Sequence, residues 1–157
     1  MAFSNWLGKK LGRAVGLPSE AQWERAARHT DGRRYPWKGD LTPDHANYDE
    51  TGIGTTTAVG IFPRGAAECG ALDMSGNVME WTRSLWGKDW HESSFNYPYD
   101  PTDKRREYLE APVDLLRVVR GGSDFNLARH VRCAARLRFN PNDLNMYIGF
   151  RVVVACP

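Results

Sequence analysis

No run of apolar residues in this chain approaches the ~20 that a bilayer span requires, and none near the amino terminus forms a secretory h-region with a small-residue cleavage site. Charge of one sign is also missing: 21 Lys and Arg against 19 Asp and Glu give a formal net charge of +2, which favours no polyanionic or polycationic partner. Cysteine is scarce. Cys69, Cys133 and Cys156 are odd in number and widely spaced, so they frame no disulfide scaffold and fit a reducing compartment. The four histidines, His29, His45, His91 and His130, show no HExxH or related ligand spacing. There is no GxSxG elbow, no phosphate-binding glycine loop, no internal repeat and no low-complexity tract. Sixteen of the 21 basic residues are arginine, seven of them between Arg117 and Arg151, but without a helical stripe or a recognisable nucleic-acid module. Nucleic acid is therefore not expected as a partner, and the chain is expected to be cytoplasmic or phage-associated.

What is present is one domain's worth of ordinary globular sequence: 157 residues, 41% hydrophobic and 25% charged. Phe3, Trp6, Leu7 and Leu11 recur at helical spacing, with Gly12 as a stop. A second helix is predicted after Pro18-Ser19. Ser19 and Gln22 make a capping box there, and Trp23, Ala26 and Ala27 make its buried stripe. Beyond Arg34 the density of Gly, Pro, Asp and Thr predicts loops and short strands. Strands are predicted at Val78–Thr82, Leu115–Arg120 and Phe150–Ala155, with Trp86–Pro112 as a polar surface excursion. The fold class is α+β: two helices, then a small antiparallel sheet with long loops.

The last third reads as a fixed frame around a variable filling. RGGS (120–123), RCAAR (132–136) and IGFRVV (148–153) bracket large side chains that follow neither a helix nor a strand period. Apolar residues on irregular backbone are either buried beneath loops or displayed for contact.

Several strings together resemble one family: LPSEAQWERAAR (17–28), YPW (35–37), ANY (46–48), AVGIFP (58–63), GALDMSGNVMEWT (70–82), RVVRGGS and GFRVV. They are similar to formylglycine-generating enzymes, the sulfatase-modifying factor family, and imply a C-type-lectin-like fold over residues 1–157. Family domains carry a further strand and helix ahead of the part that this sequence resembles. Members that oxidise cysteine to formylglycine hold copper on two cysteines after RGGS, and soft thiolates are what copper(I) selects. The matching positions here are Asn126 and, in a shorter segment, Val131. Cys133 matches a non-catalytic family cysteine. The iron-dependent sulfoxide synthases of the family draw their metal ligands largely from a separate helical domain. The resemblance thus implies the fold without the oxidase chemistry, and no enzymatic activity is expected.

The carboxyl-terminal frame also resembles the variable proteins of diversity-generating retroelements of bacteria and phages, which display a mutagenised surface on this fold. In those systems, miscopied template adenines turn Asn codons into other pyrimidine-ended codons. Asn126, Asn140, Asn142 and Asn145 remain as asparagine here. Asp124, Phe125, Leu127, His130, Val131, Leu137, Phe139, Leu144 and Tyr147 are all reachable from an Asn codon by adenine changes; Met146 is not. The implied ligand-binding region spans 120–151. Its binding residues would be Asp124, Phe125, Asn126, Leu127, His130, Val131, Leu137, Phe139, Asn140, Leu144, Met146 and Tyr147, and its partner a protein or other macromolecule. Two alternatives stay open: a satellite core beneath the Trp86–Pro112 excursion, and a non-catalytic or divergent homologue with one fixed partner.

The resemblance further implies structural calcium at two oxygen-rich loops. One is Asn47, Tyr48, Asp49 and Glu50; the other contains Asp73, Met74, Gly76 and Val78. Arg132, Arg136 and Arg151 are expected to tie the frame together, with Glu80 and Asp73 as candidate acceptors. Trp37 and Trp81 are expected in the core.

Overall fold

The computed structural model describes residues 2–155; Cys156 lies outside them. Helix α1 (Ala2–Leu11) ends at Gly12, whose φ of +62° a side-chain-bearing residue would resist. Helix α2 (Glu20–Arg28) begins as its sequence dictates. Ser19 Oγ accepts from Gln22 N–H at 3.1 Å, while Gln22 Oε1 accepts from Ser19 N–H at 2.8 Å. Trp23 and Ala27 are buried, and Ala26 packs against the same core.

Four strands form the main sheet: β2 (Met79–Gly87), β3 (Leu116–Arg120), β4 (Leu137–Phe139) and β5 (Ile148–Phe150). Their order is β4-β3-β2-β5. A second, two-stranded sheet pairs β1 (Val15–Gly16) with β6 (Val153–Val154). The sheet is not wholly antiparallel as expected. β5 lies parallel to β2, with Glu80 opposite Gly149. β4 is antiparallel to β3 and β3 to β2, so β4 also runs with β2. The 140–147 connection must therefore return the length of the sheet before β5 can start.

Three further expectations are corrected. Strand β2 runs on to Gly87, so Trp86, expected to open the surface excursion, is a buried strand residue. The predicted Phe150–Ala155 strand is two strands in different sheets, separated by Arg151 and Val152. The apolar stripe of α1 is largely exposed at Phe3, Trp6 and Leu11, with Phe3 meeting Phe150 edge-on at 5.6 Å.

The core is small and charged, and arginine ties it together. Arg120 is fully buried at the end of β3, where it donates to Glu20 at 2.6 Å, Glu24 at 2.7 Å and the Cys133 carbonyl. Arg136 joins the same Glu20 carboxylate at 2.6 Å. Glu80 of β2 accepts from Trp23 Nε1 at 2.6 Å and from Arg151. The guanidinium groups also lie over aromatic rings, Arg120 over Trp23 at 5.2 Å and Arg136 over Trp86 at 5.0 Å. Planar, forked cations can bond at the edge and stack on the face together; an ammonium cannot, which is why arginine suits these positions. Arg151 and Arg136 are thus frame residues as expected, whereas the half-buried Arg132 side chain donates, among the described residues, only to the nearby Arg129 carbonyl. Trp37 is buried with its N–H on the Asp40 carbonyl, but Trp81 is only half-buried.

Candidate functional site

The RGGS turn places the segment that follows. Gly121 and Gly122 both have positive φ, and a Cβ on Gly122 would come within 2.8 Å of Val131 Cγ1. Glycine is required there so that the turn can close onto the loop that returns beneath it. Ser123 N–H then donates to Asn126 Oδ1 at 3.0 Å, and Asn126 N–H to the Ser123 carbonyl at 3.1 Å. The Asn126 carbonyl accepts from Asp49 N–H at 3.1 Å, fixing the turn to the 47–51 loop. Asn126 is therefore a turn-building residue, its side-chain oxygen committed to Ser123.

Two expected display positions are overturned. Val131 is completely buried, packed among Tyr35, Trp37, Ala46 and Tyr48, where an aliphatic side chain fills a space walled by aromatic rings. Asp124 is 3% exposed; its N–H donates to the Asn77 carbonyl and its Oδ1 has no hydrogen-bond partner among the described residues. Neither can meet a partner macromolecule without unfolding the turn.

The other positions divide between two surfaces. Phe125, 48% exposed, meets the half-buried Tyr147 edge to face with ring centroids 4.3 Å apart. Tyr147 is held by its backbone: its carbonyl accepts from Met79 N–H at 2.8 Å, and its N–H donates to Asn145 Oδ1 at 2.9 Å. On the same 140–147 connection Leu144 is fully exposed and Met146 is 80% exposed. Leu137 and Phe139 lie instead on a face of β4, opposite Val119 and Arg117 of β3. Phe139 packs edge-on against Trp90 at 6.1 Å. Phe139 thus leans on the 86–112 segment, half-buried, and does not project freely. Leu127 and His130 are half-buried, and the pKa of His130 is held down by burial and by Arg129 and Arg132. Asn140 and Asn145 build turns as Asn126 does: Asn140 Oδ1 accepts from Asn142 N–H at 2.9 Å and its carbonyl from Asp143 N–H at 2.9 Å.

Thiol chemistry is absent from the segment after RGGS. Cys133 is buried, and burial pushes its thiol up to about 12, so it is protonated at neutral pH and a poor ligand for a soft metal. Cys69 is free and exposed, with its Sγ at 3.5 Å from the Ala26 carbonyl.

The expected calcium loops fit unevenly. In the second loop two Asp73 oxygens are engaged by protein donors: Oδ2 accepts from Gly60 N–H at 2.6 Å, and the carbonyl from Arg151. Asn77 Oδ1 takes Thr57 N–H and Oγ1–H and Asn47 Nδ2–H. Met74 is fully buried, Gly76 N–H donates to the Gly121 carbonyl, and Val78 is half-buried. In the first loop Asn47 is different. Its Nδ2 donates to the Thr55 carbonyl at 2.8 Å, but its buried Oδ1 has no partner among the described residues. Tyr48 is buried; Asp49 is exposed, and Glu50 Oε1 turns to Ala128 N–H at 3.3 Å. No group of three or more His, Cys, Asp or Glu side chains gathers anywhere among the described residues.

This architecture defines the class: a C-type-lectin-like α+β domain of the formylglycine-generating-enzyme type. The chain belongs to the sulfatase-modifying factor enzyme 1-like domain family, which matches residues 1–156. It is 36% identical over 151 residues to the serine/threonine-protein kinase Pkn1 of Chlamydia trachomatis serovar L2, covering 96% of this chain and 22% of that protein. It is 31% identical over 169 aligned residues to the formylglycine-generating enzyme of Thermomonospora curvata, covering 96% of this chain and 51% of the enzyme. The chain thus spans between about a fifth and about half the length of these relatives. PvdO from Pseudomonas aeruginosa superposes with a TM-score of 0.74 at 27% identity, over 99% of this chain and 58% of that one. Treponema denticola variable protein 1 does so with a TM-score of 0.64, also at 27% identity, over 89% and 47%.

Proposed function

We propose that this domain is a non-catalytic binding module whose contact surface is built by Phe125, Leu144, Met146 and Tyr147. The observation that carries the reading is the exposure of three large apolar side chains, Phe125, Leu144 and Met146, beside the half-buried Tyr147 ring, on backbone that is itself pinned. Asn126 and Asn145 side chains cap the turns beneath Phe125 and Tyr147. Side chains that change while their turns stay fixed are what a diversified surface needs, and similarity to the Treponema variable protein supports that finer reading. A partner that fully buried one such side chain would gain ~1.5–3 kcal/mol from it, and aromatic anchors on a rigid frame suit hot-spot binding. The corrected positions narrow the surface: Asp124 and Val131 belong to the frame.

Position 131 also fits the non-catalytic reading. A valine inside an aromatic cluster and an amide-bound Asn126 leave no thiolate pair for copper. We further propose that Asn47 Oδ1 is the oxygen that a structural calcium ion would take, ordering the 47–57 loop.

Sequencing the DNA flanking the gene tests the finer reading. A near-copy of the 3′ segment with adenines at the differing codons, beside a reverse transcriptase, is the expected finding. Copper-dependent turnover of cysteine-containing peptides by the purified chain would overturn the non-catalytic reading.

A further inference from the structure

A separate cleft of about 310 Å³, lined by none of Phe125, Leu144, Met146 and Tyr147, opens over half-buried residues of β2 and β3. Trp81 of β2 forms part of its floor, and Leu17, Leu109, Val113 and Pro141 are among its walls. The volume is at the lower end of those that hold small organic ligands, and the lining is mostly apolar. One polar group in it is unusual. Arg117 of β3 donates through Nη1 to the Arg83 carbonyl at 2.5 Å and through Nη2 to the carbonyls of Tyr108 and Leu109 at 3.2 and 3.1 Å. No carboxylate pairs with it among the described residues. The nearby Glu107 is already taken by Arg83 at 3.1 Å and by the hydroxyls of Ser84 and Tyr99.

A partly desolvated guanidinium whose bonds are all to neutral carbonyls is short of a counter-charge. Burial accordingly lowers its pKa from the ordinary arginine value, Glu107 only partly opposing this. We infer that the cleft binds a small amphipathic carboxylate, its anionic end against the Arg117 guanidinium and its aliphatic part between Leu17, Leu109 and Val113. A neutral ligand would leave the charge uncompensated, and a cation would be repelled by it. The ligand must be short, because the cleft has room for one aliphatic chain or one pair of apolar side chains. Such a carboxylate could be a free aliphatic acid or the carboxyl terminus of an apolar peptide.

Titration calorimetry of the whole chain with octanoate, octanol, octylammonium and N-acetyl-leucyl-leucine tests this. One or both carboxylates should bind at least about tenfold more tightly than octanol, the factor that ~1.4 kcal/mol supplies, and octylammonium should not bind. Which carboxylate binds better identifies the source. Arg117→Gln should bring the carboxylates down to the affinity of octanol. Val113→Asp, at a position 67% exposed, should abolish binding while leaving the melting temperature unchanged. Octanol matching both carboxylates, or V113D binding them as well as the parent chain, would overturn the proposal.

Discussion

Glu20 and Arg120, a hundred residues apart in sequence, meet in an ion pair 2.6 Å long with neither side chain exposed to solvent. The pair fastens the start of α2 to the end of β3, at the first residue of the RGGS block. Arg136, from the RCAAR block, closes onto the same carboxylate. Two blocks of the carboxyl-terminal frame are thus held by one glutamate from the amino-terminal third.

Removing that glutamate should be among the most damaging single changes. Glu20→Ala leaves two guanidinium groups without their shared acceptor, and breaking a buried pair costs about 3–5 kcal/mol. Urea unfolding should show a correspondingly lower midpoint. A shift below about 1 kcal/mol would mean that Glu24 alone can hold Arg120.

Glu24 gives the fold an acid-sensitive joint. Burial works to raise its carboxyl, but Arg120, Arg28 and the Tyr97 hydroxyl outweigh it and hold the pKa below the ordinary 4.5. A lowered folded-state pKa means stability that is present above 4.5 and lost as pH falls through the lowered value. Glu24→Gln should therefore be less stable than the parent near neutral pH and lose less on acidification, as read from urea midpoints at both pH values.

Cys133 should resist modification in the folded chain and Cys69 should not. Peptide mapping after native-state alkylation is expected to find Cys69 labelled and Cys133 untouched until denaturant is added. The raised Cys133 pKa makes a second, alkaline signature. Its contribution to stability is full below the ordinary thiol value of 9.0 and is lost as pH rises toward about 12. Cys133→Ser should flatten that alkaline loss.

Gly76 should tolerate no side chain. Its φ is +75°, and a Cβ there would lie 2.1 Å from the Asn47 carbonyl oxygen. Left-handed strain alone costs ~1–3 kcal/mol, and the clash adds to it. Gly76→Ala is expected to lower the thermal midpoint by well over ten degrees, or to prevent folding. Val131→Ala, by contrast, should cost about 1.5–3 kcal/mol through lost burial, while Phe125→Ala should change stability little.

Calcium should raise the melting temperature of the parent chain, and Asn47→Ala should abolish that rise. If calcium and chelator give the same melting curve, the Asn47 Oδ1 site does not take the ion.

Much of the fold was legible because its signals are local. The Ser19–Gln22 capping box, the Trp23–Ala27 stripe and the RGGS turn depend on neighbouring residues and backbone freedom alone, and each appears where the sequence places it. Strand β4 was not legible, since the single apolar-polar-apolar step of Leu137-Arg138-Phe139 is too short to stand out as a period. The parallel pairing of β5 was hidden for another reason: the direction of a strand is set by the path of the chain around it.

Sequence by itself determined the α+β architecture, the family, and the absence of a cysteine pair after RGGS, because residue identity and spacing suffice for each. Tertiary structure alone decided which members of the variable filling face outward. Phe125 and Val131 are both apolar residues in the same irregular segment, six positions apart. One lies on Tyr147 at the surface and the other inside the aromatic cluster of Tyr35, Trp37 and Tyr48. Burial on irregular backbone depends on what distant segments bring against it, and no local pattern records that.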